Sequence, residues 1–228
     1  MDKPAVTLIT YTPDPERLVT AAARLCYSPS TIDRIKELMT NEEITERIDN
    51  LINSGHLSPF EHASFTFGIE GVSRSMLAQI TRHRIASFSV QSQRYVDEVG
   101  FDCVIPPEIQ ENEWAKNVYL ECMHRNAAVY KLYKALGYRI EDARFVLPNA
   151  CTTKMMVTMN TRSLLSFFSL RCCNRAQWEI REVAWQMLKL VKEVAPHLFA
   201  LAGPGCLRGA CPEGKMSCGN PVRRDCNG

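Results

Sequence analysis

The chain has 228 residues, 46% hydrophobic and 23% charged, with a formal net charge of +2. That is globular composition with length for a sizeable core, and it excludes a disordered polyelectrolyte and a chain-wide polyanion binder. No apolar run is long enough to span a bilayer, and the first ten residues lack the apolar core of a secretory signal, so a cytoplasmic protein is expected.

Ala5 to Thr10 is short and β-branched, which predicts a strand. Asp14 before Pro15 reads as the N-cap of a helix over Arg17 to Tyr27, with Leu18, Ala21, Ala22 and Leu25 on one face. A short helix is expected over Thr31 to Met39. Another begins at Asn41 and buries Ile44, Ile48, Leu51 and Ile52 before Gly55 closes it. The alternation of Ala63 to Glu70 predicts a half-buried strand, and Val72 to Arg82 a helix on which Gln79 and Arg82 share a face. A long helix runs from about Glu111 to Leu136. Trp114, Val118, Cys122 and Met123 read there as core or subunit contacts, and Gly137 ends it. Ile140 to Arg144 is a short helix before Pro148, and Cys151 to Met159 a second strand. Asn160 is placed as the N-cap of an apolar helix from Thr161 to Arg171, followed by an amphipathic helix from Ala176 to Val194. The simplest account is one α+β domain with a small antiparallel or mixed sheet flanked by long helices.

Between these elements lies the densest chemistry. From Gln79 to Tyr95 the chain carries Arg82, His83, Arg84 and Arg94, with amides and hydroxyls between them and no carboxylate before Asp97. Guanidiniums crowded with neutral donors point to an anion site, with an exposed basic loop or nucleic-acid patch as the alternative. A local basic run on a chain of net charge +2 favours a small anionic ligand. Upstream, Gly55-His56-Leu57-Ser58-Pro59-Phe60-Glu61-His62 holds two histidines and a glutamate. Pro59 keeps the histidines off one regular helix face, so no metal is expected. A loop that presents His56 and Ser58 to a ligand, with Glu61 and His62 as a supporting pair, fits better.

Cys26, Cys103, Cys122 and Cys151 read as small buried hydrophobes in a reducing compartment. The composition changes after Gly203, and residues 204–228 read as a cysteine-rich tail on a domain of residues 1–203. Its cysteines, Cys206, Cys211, Cys218 and Cys226, are spaced x4, x6 and x7, unlike the paired spacing of a zinc ribbon. A chain-end loop ordered against a partner subunit is the preferred reading. The chain has no Rossmann fingerprint, no P-loop and no nucleophile elbow.

The chain resembles the flavin-dependent thymidylate synthases. Their signature, R-H-R, seven residues, then S, stands here as Arg82-His83-Arg84 followed by Ser92. Companion blocks occur in order: the His56 to His62 segment; Gln79; Ser92-x-Arg94-Tyr95; Ala143-Arg144-x-x-Leu147-Pro148; Thr158-x-Asn160-x-Arg162; Leu170-Arg171; and Ala176-Gln177-x-Glu179-Ile180-Arg181. The resemblance implies reductive methylation of dUMP to dTMP, with methylenetetrahydrofolate as carbon donor and NADPH-reduced FAD as hydride source. It implies a homotetramer with active sites where subunits meet, and no nucleic-acid or membrane partner. By position, Arg82, His83, Arg84 and Asn160 would hold FAD, assisted by Ser58. Ser166 would face the flavin where relatives often carry a longer polar side chain. His56 would lie by the flavin ring. Gln79, Ser92, Gln93, Arg94 and Arg144 would hold dUMP, mainly its phosphate, and Arg171 would address the uracil. Val90 stands where a polar or acidic residue is common. No general base accompanies Ser92 in the motif, so no enzyme nucleophile is expected. A nucleotide-binding module without chemistry and a cysteine-rich metal protein are the competing readings.

Overall fold

Period-2 patterning builds a small antiparallel sheet in this computed structural model, which describes residues 4–37 and 39–222. Its strands are β1 (Ala5–Tyr11), β2 (Ser64–Ser73), β3 (Ser87–Val90) and β4 (Thr152–Asn160), in the order β1-β2-β4-β3. Along β2, Phe65, Phe67 and Ile69 are fully buried while the residues between them are not. Along β4 the buried set is Thr153, Met155, Val157 and Met159. Burying each large apolar side chain contributes about 1.5–3 kcal/mol. Strand β3 lies inside the basic run, where the sequence shows no clean alternation. Four residues are too few for alternation to register, and only the neighbouring strand reveals the pairing.

The helices are α1 (Pro15–Leu25), α2 (Ile32–Glu37), α3 (Asn41–Ser54), α4 (Arg74–Ile80), α5 (Pro107–Gln110), α6 (Glu113–Ala135), α7 (Ile140–Ala143), α8 (Thr161–Arg171) and α9 (Trp178–Val194). Leu38, within the segment expected as the second helix, lies outside the described residues. Asp14 occupies the N-cap position of α1, but in a left-handed conformation (φ 46°) without a capping bond; its carboxylate accepts from Arg17 Nε at 2.9 Å instead. Helix α3 starts with a capping box: Thr40 Oγ1 accepts from Glu43 N, and the Glu43 carboxylate accepts from Thr40 N, each at 3.3 Å. Gly55 ends α3 at φ 71°, a region open to glycine without Cβ strain. Helix α4 stops at Ile80, so Arg82 lies beyond it and does not share a helical face with Gln79.

Residue contacts cluster into two compact units. The first gathers, among the described residues, Ala5 and its predecessor with Ile69–Arg82 and Ser89–Met155. The long helix α6 lies in this unit and buries only Met123 and Tyr130. Trp114 is 75% exposed, and Val118 and Cys122 are exposed too, so of the expected apolar contact set of α6 only Met123 is core within this chain. Tyr130 anchors the loop that precedes α5 and α6, donating to Asp97 and accepting from Glu98 N, while Lys134 pairs with Asp97.

The second unit gathers Val6–Gly68, His83–Phe88 and the described part of Met156–Gly228. Helices α8 and α9 supply much of its core: Leu164, Phe167, Phe168, Ile180, Val183, Met187 and Val191 are buried. Gln177 caps α9 by accepting from the backbone N–H groups of Glu179 and Ile180, both at 3.1 Å. The cysteine-rich segment folds back within this unit. Leu207 is buried, Arg175 donates to the Glu213 carboxylate and to Met216 O, and Asn174 donates to Asn220 O. Arg223, Arg224 and Cys226 lie outside the described residues. Cys151 is buried as expected and Cys103 half-buried, whereas Cys26 and Cys122 are exposed, which corrects their reading as buried hydrophobes.

Candidate active site

In the first unit, β3 delivers the chain into a tight turn. Ser92 O accepts from Tyr95 N at 3.3 Å and from Val96 N at 3.0 Å. The Ser92 hydroxyl accepts from Arg94 N at 3.2 Å, the local bond that serine favours in turns. The turn is anchored from below: Gln91 N donates to Lys154 O at 3.0 Å, Arg74 Nη2 donates to Gln91 O at 2.8 Å, and Gln93 Nε2 approaches Cys151 Sγ at 3.8 Å. Burial, reinforced by the Glu98 carboxylate, pushes the Cys151 thiol up to about 12, so it is neutral and not nucleophilic.

Above this base stand the guanidiniums. Arg94 donates through Nε (3.1 Å) and Nη2 (2.9 Å) to one oxygen, Oε2, of Glu141 on α7. Arg144, in the 3-10 turn that follows α7, donates from Nε to Glu141 O at 3.2 Å. Arg139 faces Glu141 Oε1 at 3.5 Å. Arg94 in turn holds the Glu141 carboxyl below the usual carboxylate range. Ser92, Gln93, Arg94 and Arg144 all lie in this unit. Glu141 was missed. Its spacing to Arg144 was visible as an i, i+3 pair, but nothing local linked it to Arg94, 47 residues away.

In the second unit, the turn after Gly55 leads into a 3-10 segment, Ser58–His62, with Pro59 and Phe60 buried beneath it. His56 is half-buried and Ser58 exposed. Glu61 pairs with Arg162, in the first turn of α8, at 2.5 Å, a charge-assisted bond. Asn160 caps α8 as expected, its Oδ1 accepting from Ser163 N at 2.8 Å, and the bounds of α8 match the expected ones. Ser166 is exposed and, with Arg162, Leu57 and Leu165, lines a pocket of about 340 Å³.

His83 and Arg171 meet. Arg171 Nε donates to His83 Nε2 at 3.1 Å, and the edge of Phe167 packs on the His83 ring with centroids 4.9 Å apart at 75°. Burial, with the adjacent Arg171 charge, pushes His83 down to about 4. The ring is therefore neutral at pH 7 with its proton on Nδ1, since Nε2 accepts. Arg171, expected to address the uracil, thus bonds a neutral histidine of the signature. Arg82 in the first unit and Arg84 in the second are exposed, and neither side chain has a hydrogen bond or ion pair among the described residues. His56, Ser58, Arg84 and Ser166 share no hydrogen bond with one another among the described residues. Among the described residues no cluster of three potential metal ligands occurs and no helix is long and apolar enough to cross a membrane.

A family model described as "Thymidylate synthase complementing protein" matches residues 7–197. Its match spans both guanidinium clusters, and the chain belongs to the flavin-dependent thymidylate synthase family. Among its relatives, the flavin-dependent thymidylate synthase of Geobacter sulfurreducens is 52% identical over 216 residues, covering 94% of this chain and 93% of that one. The Nitratidesulfovibrio vulgaris enzyme is 50% identical over 238 residues with 97% of each chain covered, and the Clostridium tetani enzyme 47% over 230 residues with 94% and 92% covered. The fold is also that of a solved structure, the UMP/dUMP methylase PolB from Streptomyces cacaoi bound with 5-Br dUMP. That likeness has a TM-score of 0.76 at 24% identity and covers 87% of this chain and 94% of that one.

Proposed function

We propose that this chain converts dUMP to dTMP, with methylenetetrahydrofolate as carbon donor and NADPH-reduced FAD as hydride source, in a homotetramer with active sites where subunits meet. The observation that carries the reading is the 3.1 Å bond between Arg171 and His83. It joins the arginine assigned to uracil to the centre of the R-H-R signature assigned to flavin. Methyl transfer completed by a hydride requires those two ligands to be neighbours.

The donor set fits a flavin dinucleotide. Arg82 and Arg84 are permanent cations with uncommitted side chains among the described residues, suited to a pyrophosphate. Asn160 uses Oδ1 for its cap, which leaves Nδ2 as a donor. Ser58 and Ser166 present exposed hydroxyls, and His56 a half-buried ring. When bound, FAD supplies hydride transfer. The chain's residues bind and orient. Arg94, Arg144 and the Ser92-Gln93 turn hold the dUMP phosphate, and Gln79 assists. Arg171 addresses the uracil and stabilises negative charge as it develops on the ring. Neutral His83 keeps the Arg171 guanidinium oriented without a competing charge. Ser92 orients, because its hydroxyl accepts the Arg94 N–H and no base bonds to it among the described residues.

The exposed Trp114, Val118 and Leu132 of α6, with Leu136 at its C-cap, support assembly into an oligomer, since their helical spacing gathers them on one face and an exposed apolar face marks an interaction surface. Residues 204–222, docked through Asn174 and Arg175, read as an extension of the second unit. The test is direct. Purified protein should show flavin absorbance, oxidise NADPH faster when dUMP is added, and form dTMP only with methylenetetrahydrofolate present. Colourless protein that FAD does not reconstitute refutes the reading.

A further inference from the structure

Glu141 stands amid three guanidiniums. Its Oε2 takes Arg94 Nε and Nη2 at 3.1 and 2.9 Å, its Oε1 faces Arg139 Nη1 at 3.5 Å, and its carbonyl accepts Arg144 Nε at 3.2 Å. Three cations so close repel one another, and each long side chain has many rotamers to choose from. One carboxylate at their centre removes part of the repulsion and fixes the fork of Arg94. It leaves a net charge of about +2 in the cluster, matched to a phosphate monoester dianion. Arg94 Nη1 and both terminal nitrogens of Arg144 have no hydrogen-bond partner among the described residues, so donors remain for a ligand.

We propose that Glu141 is the positioning residue of the phosphate site: its carboxylate fixes the Arg94 guanidinium beside Arg144, which is tied to the Glu141 backbone carbonyl, so that both converge on the substrate phosphate, without touching the ligand itself. The proposal rests on the assignment of Arg94 and Arg144 to the dUMP phosphate. The carboxylate also repels an approaching dianion, but it is partly solvated and already neutralised by Arg94, so loss of preorganisation outweighs relief of repulsion.

The experiment compares Glu141→Ala, Glu141→Gln and Arg94→Ala as flavin-loaded proteins. It measures the affinity for dUMP and, by competition, for deoxyuridine, which lacks the phosphate. Glu141→Ala should weaken dUMP about tenfold, or about 1.4 kcal/mol. Glu141→Gln keeps an acceptor oxygen and should recover part of that loss. Deoxyuridine affinity, flavin content and kcat at saturating dUMP should hold, while KM for dUMP rises. In the Arg94→Ala background, Glu141→Ala should add less than a twofold effect. If Glu141→Ala binds dUMP as tightly as the wild type or more tightly while Arg94→Ala weakens it, Glu141 is a competitor of phosphate and the positioning role is overturned. If Arg94→Ala itself leaves dUMP affinity unchanged, the phosphate assignment fails, and this inference with it. Should Glu141→Ala not fold, Glu141→Gln decides by the same comparison of dUMP with deoxyuridine.

Discussion

Acidification from pH 7.5 to 5 should destabilise the protein through His83, and His83→Gln should remove that sensitivity. His83 is pushed down from 6.5 to about 4, first by burial and then by Arg171. The sign follows from which state takes the proton. Above pH 6.5 the ring is neutral folded and unfolded, and its contribution is fully present. Between 6.5 and about 4 the unfolded chain binds a proton that the folded chain refuses, so stability falls as pH falls. Each pH step in that window costs up to about 1.4 kcal/mol. Down to pH 5 the window gives an upper bound of about 2 kcal/mol, which partial solvation of the half-buried ring reduces to about 1 kcal/mol. The geometry supplies the cause: protonating Nε2 would remove the acceptor for Arg171 Nε and set two cations 3.1 Å apart. Glutamine keeps a neutral acceptor at that place and does not titrate. Urea unfolding of both proteins at pH 7.5, 6 and 5 measures the effect as a difference, so carboxylates common to both cancel. Equal losses of stability in wild type and His83→Gln would refute the assignment of a neutral, acid-resistant His83.

Arg171→Ala should lower turnover about 10²–10³-fold with smaller loss of dUMP affinity, because it removes a donor aimed at developing charge; an equal fall in affinity and rate, read from KM and kcat, would contradict that role. The same variant should narrow the acid-sensitive window of His83, since the Arg171 charge is the second cause of its low value. Ser92→Ala should keep measurable turnover, since its hydroxyl serves as acceptor for Arg94 N; complete loss of turnover with dUMP still bound would make Ser92 a nucleophile. Thr40→Ala breaks the capping box of α3 and should lower unfolding stability by about 1 kcal/mol, with flavin content unchanged.

What was legible in the sequence was what short-range physics controls. Asn160 with the apolar run behind it fixed the start and end of α8, Gly55 fixed the end of α3, and alternation fixed the inward faces of β2 and β4. The ordered motif blocks also identified the family, because the guanidiniums and amides that grip anions must occur in a set spacing on their loop. Tertiary structure alone decided which of those groups meet. The bonds from Arg171 to His83, Arg94 to Glu141 and Arg162 to Glu61 join residues 88, 47 and 101 apart, and no local preference encodes such pairs. It also exposed most of the apolar face of α6, which helical spacing alone reads as core. A helix's periodicity says that one face is apolar, while what covers that face depends on the path of the rest of the chain.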